Sequence, residues 1–199
     1  MKIQLKLAAF LLLSATLLMI GCSIDGSDDS VPAKYAIGDK GPSGVGIVFY
    51  VTDGGLHGLE VAPVDQDTGT VWSNNYSGFA NGSTALPAEI GTGSANTDAI
   101  IAQTGHTGSA AKICRDYTGG ELTDWFLPSK DELKAIWDNL VDDGAGNNSG
   151  AGDFATGGYG YWSSSENTAA LAWYQSFFSG PQTHMNKSSS TSVRAVRSF

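Results

Sequence analysis

Apolar positions crowd residues 7–20, broken only by Ser14 and Thr16, and the stretch SIDGSDDSVPAK that follows Cys22 has no apolar period at all. From residue 35 they return in short bursts between glycine-rich turns. IVFYVTDGGLHGLEVAP, residues 47–63, predicts a hairpin: strand formers run into Asp53-Gly54-Gly55, which supplies positive-φ positions, and Leu59 and Val61 return. GTVWSNNYSGFANGSTALP, residues 69–87, is dotted with aromatics and is expected to be loop. SANTDAIIAQTG has a Ser or Asn cap, an apolar run and a Gly stop, and so predicts a short helix near 96–103. SAAKICRDYTGG predicts a second, with Ile113 and Tyr117 on one face and Gly119 ending it.

The best-specified element lies in TDWFLPSKDELKAIWDNL, residues 123–140. Pro128 pushes Leu127 out of the helical region, so an aromatic strand end stops there. Ser129 and Glu132, three apart, match a reciprocal capping box. Leu133, Ile136, Trp137, Leu140 and Val141 then form one apolar stripe at helical period. After a long glycine-rich loop at 142–160, YWSSSE (161–166) reads as a strand. ALAWYQSFF (170–178), a Gly180-Pro181 turn and a last strand ending in SVRAVRSF complete a C-terminal hairpin pattern.

Two lysines among residues 1–6, the short apolar core and Gly21-Cys22 have the form of a secretory signal too short to span a membrane stably. Met19-Ile20-Gly21-Cys22 resembles a bacterial lipobox, which implies a signal over 1–21, lipidation at Cys22 and a flexible tether over 22–34. Acyl chains contribute about 0.8 kcal/mol per buried methylene, and two or more anchor stably. The absence of Asp after Cys22 resembles an outer-membrane address, and Asp25, Asp28 and Asp29 resemble surface-export tethers. Loss of Lys2 and Lys6 takes the formal charge from −9 to −11, which disfavours nucleic acid as a partner. Beyond Cys22 only Cys114 remains, so no internal disulfide is available and packing must hold the fold. Residues 35–199 suffice for one core of ordinary size, their scattered glycines indicate a loop-rich single domain, and the helices and strands predicted above make it α+β.

GIVFYVTDGGLHGLEVAP, TDWFLPSKDEL, YWSSSE, AWYQSFFSG and VRAVRSF, in that order, resemble the Legionella collagen-like protein C-terminal domain family and the related Fibrobacter major paralogous domains of bacterial surface lipoproteins. The resemblance implies a C-type-lectin-like fold over 35–199, in which the termini pair and helices flank small twisted antiparallel sheets. It implies a surface-exposed role in adhesion or recognition with a glycan or protein ligand. Two other readings stay open: a hypervariable receptor diversified by a retroelement, and a structural envelope paralogue without a ligand.

No residue is assigned to catalysis or to a metal. Ser109 and Lys112 match S-x-x-K, but the S-D-N and K-T-G elements of that serine chemistry do not occur. His57, His106 and His184 lie far apart without an H-E-x-x-H, and Cys114 on a helix is expected to be a small buried hydrophobe. DQDTG (65–69) and DDGAGNN (142–148) bunch oxygens without the full calcium-loop pattern, so no cofactor is assigned, calcium being the alternative. Arg194 and Arg197 are expected in structural ion pairs with carboxylates such as Glu166 or Asp131. The candidate ligand-binding residues are Tyr174, Gln182, Thr183, His184, Asn186 and Lys187, where hydrogen-bonding tips sit beside aromatic bodies.

Overall fold

The structure, a computed structural model, describes residues 32–75, 86–141, 152–154 and 160–199. The signal segment, Cys22, the tether as far as residue 31 and most of the 142–160 loop lie outside the described residues. In chain order the elements are β1 (Ile47–Thr52), β2 (His57–Val61), β3 (Asp67–Val71), α1 (Gly93–Ile101), α2 (Ala110–Asp116), α3 (Lys130–Ile136), β4 (Gly160–Thr168), β5 (Leu171–Ser176), β6 (Gln182–Asn186), β7 (Ser190–Val193) and β8 (Val196–Ser198). The fold is α+β, with one sheet ordered β1-β2-β8 and another ordered β3-β7-β4-β5-β6. All named strand pairs are antiparallel except β4 with β7, joined at Tyr161 and Ser192. Among the described residues no helix is long and apolar enough to cross a membrane.

The hairpin expected at 47–63 is β1 and β2, turning through Asp53 (φ 48°), Gly54 (φ 66°) and Gly55 (φ 93°). At Gly55 a Cβ would stand 2.3 Å from the Tyr35 carbonyl oxygen, so glycine lets the start of the domain cross the turn. β8 pairs with β2, and the Tyr35 and Phe199 rings meet edge-on at 5.2 Å. The two ends of residues 35–199 therefore close on one another.

α3 has the predicted capping box in full: Ser129 Oγ accepts from the Glu132 amide, and Glu132 Oε2 accepts from the Ser129 amide at 2.7 Å. Glu132 Oε1 also accepts from the Gly91 amide at 2.8 Å, so this buried carboxylate ties the loop before α1 to the cap. The helix continues through a wider π-type turn at Trp137–Val141, keeping Leu133, Ile136, Leu140 and Val141 buried. α1 starts earlier than the expected helix and has no side-chain cap; Asn96 lies inside it and binds the Pro87 carbonyl. α2 stops at Asp116, before Gly119, and Tyr117 is already extended.

Two hydrophobic clusters hold the fold. One contains Trp72, Ile100, Cys114, Trp125, Leu127 and Trp162, and the other Phe49, Val61, Phe126, Leu133, Ile136, Tyr161 and Phe177. Trp125-Phe126-Leu127 runs extended between them, odd residues into the first and Phe126 into the second. Among the described residues its ladder contact is a bridge between Phe126 and Val196, so the expected strand end is one bridged residue.

The structure departs from the sequence expectation in three further details. Residues 67–71 form β3 on the edge of the larger sheet, not loop, because Thr70 and Val71 find partners in β7 at Thr191 and Ser190. The hairpin across Gly180-Pro181 is β5 with β6, and the single last strand expected after that turn is three, β6, β7 and β8, spread over two sheets. Arg194 and Arg197 do form ion pairs, but with other carboxylates: Arg194 with Asp65 at 2.6 Å, and Arg197 with Glu60 at 3.0 Å and Asp124 at 2.6 Å.

Candidate functional site

β5 and β6 form an antiparallel ribbon at the edge of the larger sheet, with Trp173 opposite His184 and Tyr174 opposite Thr183. Side chains alternate between the faces of a strand, and this divides the predicted set. Ala172, Tyr174 and Met185 pack on the first cluster, with the Tyr174 ring edge-on to Trp162 at 6.3 Å. Trp173 and His184 share the opposite face, their rings perpendicular at 5.7 Å. Lys130 Nζ stands 4.0 Å from the centre of the Trp173 ring, a cation–π contact from the first residue of α3. Gln182 Nε2 donates to the Lys130 carbonyl at 2.7 Å and to Gln175 Oε1 at 3.1 Å, which fastens the ribbon to α3.

The six predicted residues therefore occupy three environments. Gln182, His184 and Asn186 fall at alternate positions of β6 on the Trp173 face, and His184 and Asn186 are exposed. Tyr174 faces the core and is half-buried, while Thr183 is exposed. Lys187 is not on this surface. It is fully buried, its ammonium paired with Glu166 and placed 4.4 Å from the centre of the Trp72 ring. The chain leaves β6 and turns inward at Lys187, whose amide donates to the Ala170 carbonyl. Sequence reading missed Trp173 and Lys130; the alternation of Trp173 with Tyr174 marks the first, but Lys130 arrives from a distant helix.

The other chemistry-bearing residues have structural occupations. Ser109 caps α2 by accepting from the Lys112 amide, and its hydroxyl meets His106 Nε2 at 2.8 Å. Partial burial, then the Lys112 charge, lowers the His106 pKa. Cys114 is wholly buried, and desolvation raises its thiol pKa well above the ordinary value. In DQDTG, Asp65 is bound by Arg194 and Asp67 Oδ1 accepts from the Gly69 amide at 2.7 Å. Among the described residues no group of three or more His, Cys, Asp or Glu is placed to hold a metal ion.

A groove of about 390 Å³ opens elsewhere, lined by Val64, Asp65 and Gln66 after β2 and by Ile113, Asp116 and Tyr117 at the end of α2. Its Asp65 is held by Arg194, which also donates to the carbonyls of Ala62, Gly152 and Asp153 and stacks 4.4 Å from the Phe154 ring.

The family model described as the Lcl C-terminal domain matches residues 62–197, from the end of β2 into β8, and so covers both the ribbon and the groove. No curated protein matches the chain.

Proposed function

This chain belongs to the Lcl C-terminal domain family, a family of bacterial surface and secreted proteins, and from that premise we propose that it is a lipid-anchored recognition domain of the cell envelope that binds an extracellular glycan. The observation that carries the glycan reading is the edge position of β6, which exposes His184 and Asn186 beside the indole of Trp173. Imidazole and amide tips give direction to hydroxyl hydrogen bonds, and the neighbouring ring supplies apolar area. Lys130 over that ring adds a donor on a chain whose formal charge is −9.

The anchor in this proposal is the lipidated Cys22 of Met19-Ile20-Gly21-Cys22, with the outer membrane as its address. The C-type-lectin-like architecture belongs to the same proposal, supported by the sheet in which the first and last strands of the domain both pair with β2. No covalent chemistry is assigned: Ser109 serves as a helix cap and Cys114 is sealed in the core. No cofactor or nucleic acid is assigned either.

A glycan array probed with residues 32–199, which contain both sheets and both clusters, tests the reading with and without calcium. Binding is expected in both conditions. His184→Ala with Asn186→Ala abolishes it, and Thr183→Ala leaves it unchanged. Absence of signal from every glycan, or signal indifferent to the double variant, overturns the proposal. Intact-mass analysis of Cys22 tests the anchor separately, and an unmodified thiol in membrane-derived protein removes it.

A further inference from the structure

We propose that the groove between residues 63–66 and the C-terminal end of α2 is a second binding site, for a neutral sugar ring. It is independent of the ribbon and shares with the preceding proposal only the class of ligand. Its volume, about 390 Å³, lies at the small end of the range for ligand pockets. Val64, which lines it, is 54% exposed, one of three exposed large hydrophobic residues among the described residues. Together with the half-buried Ile113 and Tyr117 it gives the groove apolar walls.

The polar groups decide the ligand. Two carboxylates beside an aromatic ring would ordinarily attract a cation, but both are already balanced. Asp65 Oδ1 is held by Arg194 at 2.6 Å, and both oxygens of Asp116 receive Lys112 Nζ, at 2.6 and 2.7 Å. Gln66 is spent on structure, its Nε2 donating to the Val64 carbonyl and its Oε1 accepting from the Ala195 amide. The remaining capacity is the unused lone pairs of two charge-balanced carboxylates and the Tyr117 hydroxyl, which has no hydrogen-bond partner among the described residues. Such a groove calls for a ligand rich in O–H donors, without net charge, with an apolar face to lay on Val64, Ile113 and Tyr117. A pyranose ring has all three properties.

The test is a titration of the ¹⁵N-labelled full-length chain in a detergent that contains no sugar, following the backbone amides of the six lining residues. The probes are methyl glycosides of glucose, galactose, mannose and N-acetylglucosamine, with tetramethylammonium as the cationic comparison. At least one glycoside is expected to give saturable shifts confined to these residues, with a dissociation constant on the order of millimolar. Val64→Asp, on an exposed side chain, is expected to abolish them. Tyr117→Phe, which keeps the ring on Trp125, is expected to weaken binding severalfold, and His184→Ala with Asn186→Ala to leave it unchanged. Spectra of the variants outside the groove show whether the fold is retained. Absence of saturable shifts with every glycoside, shifts that survive both groove variants, or a response to tetramethylammonium alone overturns the inference. Groove shifts without any ribbon-dependent array signal sustain this site while removing the ribbon reading.

Discussion

Lys187 and Glu166 form an ion pair in which neither side chain reaches solvent, and Trp72 closes it on the lysine side. The pair links the turn after β6 to the end of β4, two segments that the larger sheet brings together across β5. Lys187→Met leaves Glu166 buried opposite an apolar group, and breaking a buried pair in this way costs about 3–5 kcal/mol. We predict a loss of that size by urea denaturation, with part recovered in Lys187→Met/Glu166→Leu. Equal stability of Lys187→Met and wild type contradicts this account.

Glu132 gives a pH signature. Burial raises its pKa above the ordinary glutamate value, against the hydrogen bonds from Ser129, Gly91 and Gly93 that favour the carboxylate. The folded state therefore holds a proton that the unfolded chain has released, between the ordinary glutamate range and the raised value. In that window the contribution of Glu132 to stability falls as pH rises. Glu132→Gln should remove this slope and also cost about 1–3 kcal/mol, because its amide nitrogen would face a backbone N–H. Stability measured from pH 4 to 7 checks both, and an unchanged slope in the variant counts against the burial effect.

Arg194 gathers Asp65, the carbonyls of Ala62, Gly152 and Asp153, and the Phe154 ring around one buried guanidinium. Lysine keeps the charge but not the planar fork. Arg194→Lys is expected to lose about 2–4 kcal/mol and to raise hydrogen exchange first at residues 152–154. Uniform exchange changes across the domain, sparing that segment, would refute the clamp.

Cys114 should be inert. Its thiol is wholly buried and desolvation raises its pKa, so the thiolate needed for attack is scarce. Native protein is expected to resist iodoacetamide at pH 8 and to react only on denaturation. Stoichiometric labelling of Cys114 in the native state would show that the core opens there.

The elements governed by neighbours in sequence were legible: the β1–β2 turn residues, the capping box at Ser129 and Glu132, and the stripe from Leu133 to Val141. What failed depends on remote partners. Nothing local in DTGTV marks it as β3, whose pairing with β7 joins residues far apart in the chain. The destinations of Arg194 and Arg197 were hidden for the same reason. The candidate set erred differently: QTHMN reads as a polar tip by composition, but as a strand its period of two sends alternate residues to opposite faces. Lys187 looks like one more polar tip until the chain turn that buries it is known.

The thread Trp125-Phe126-Leu127 gives the two clusters a common fate, since no residue of it can be loosened without disturbing packing on both sides. Melting should therefore be a single event, not the shedding of one half. A cell-envelope or surface protein gains by this, because a partly opened intermediate is what a protease needs.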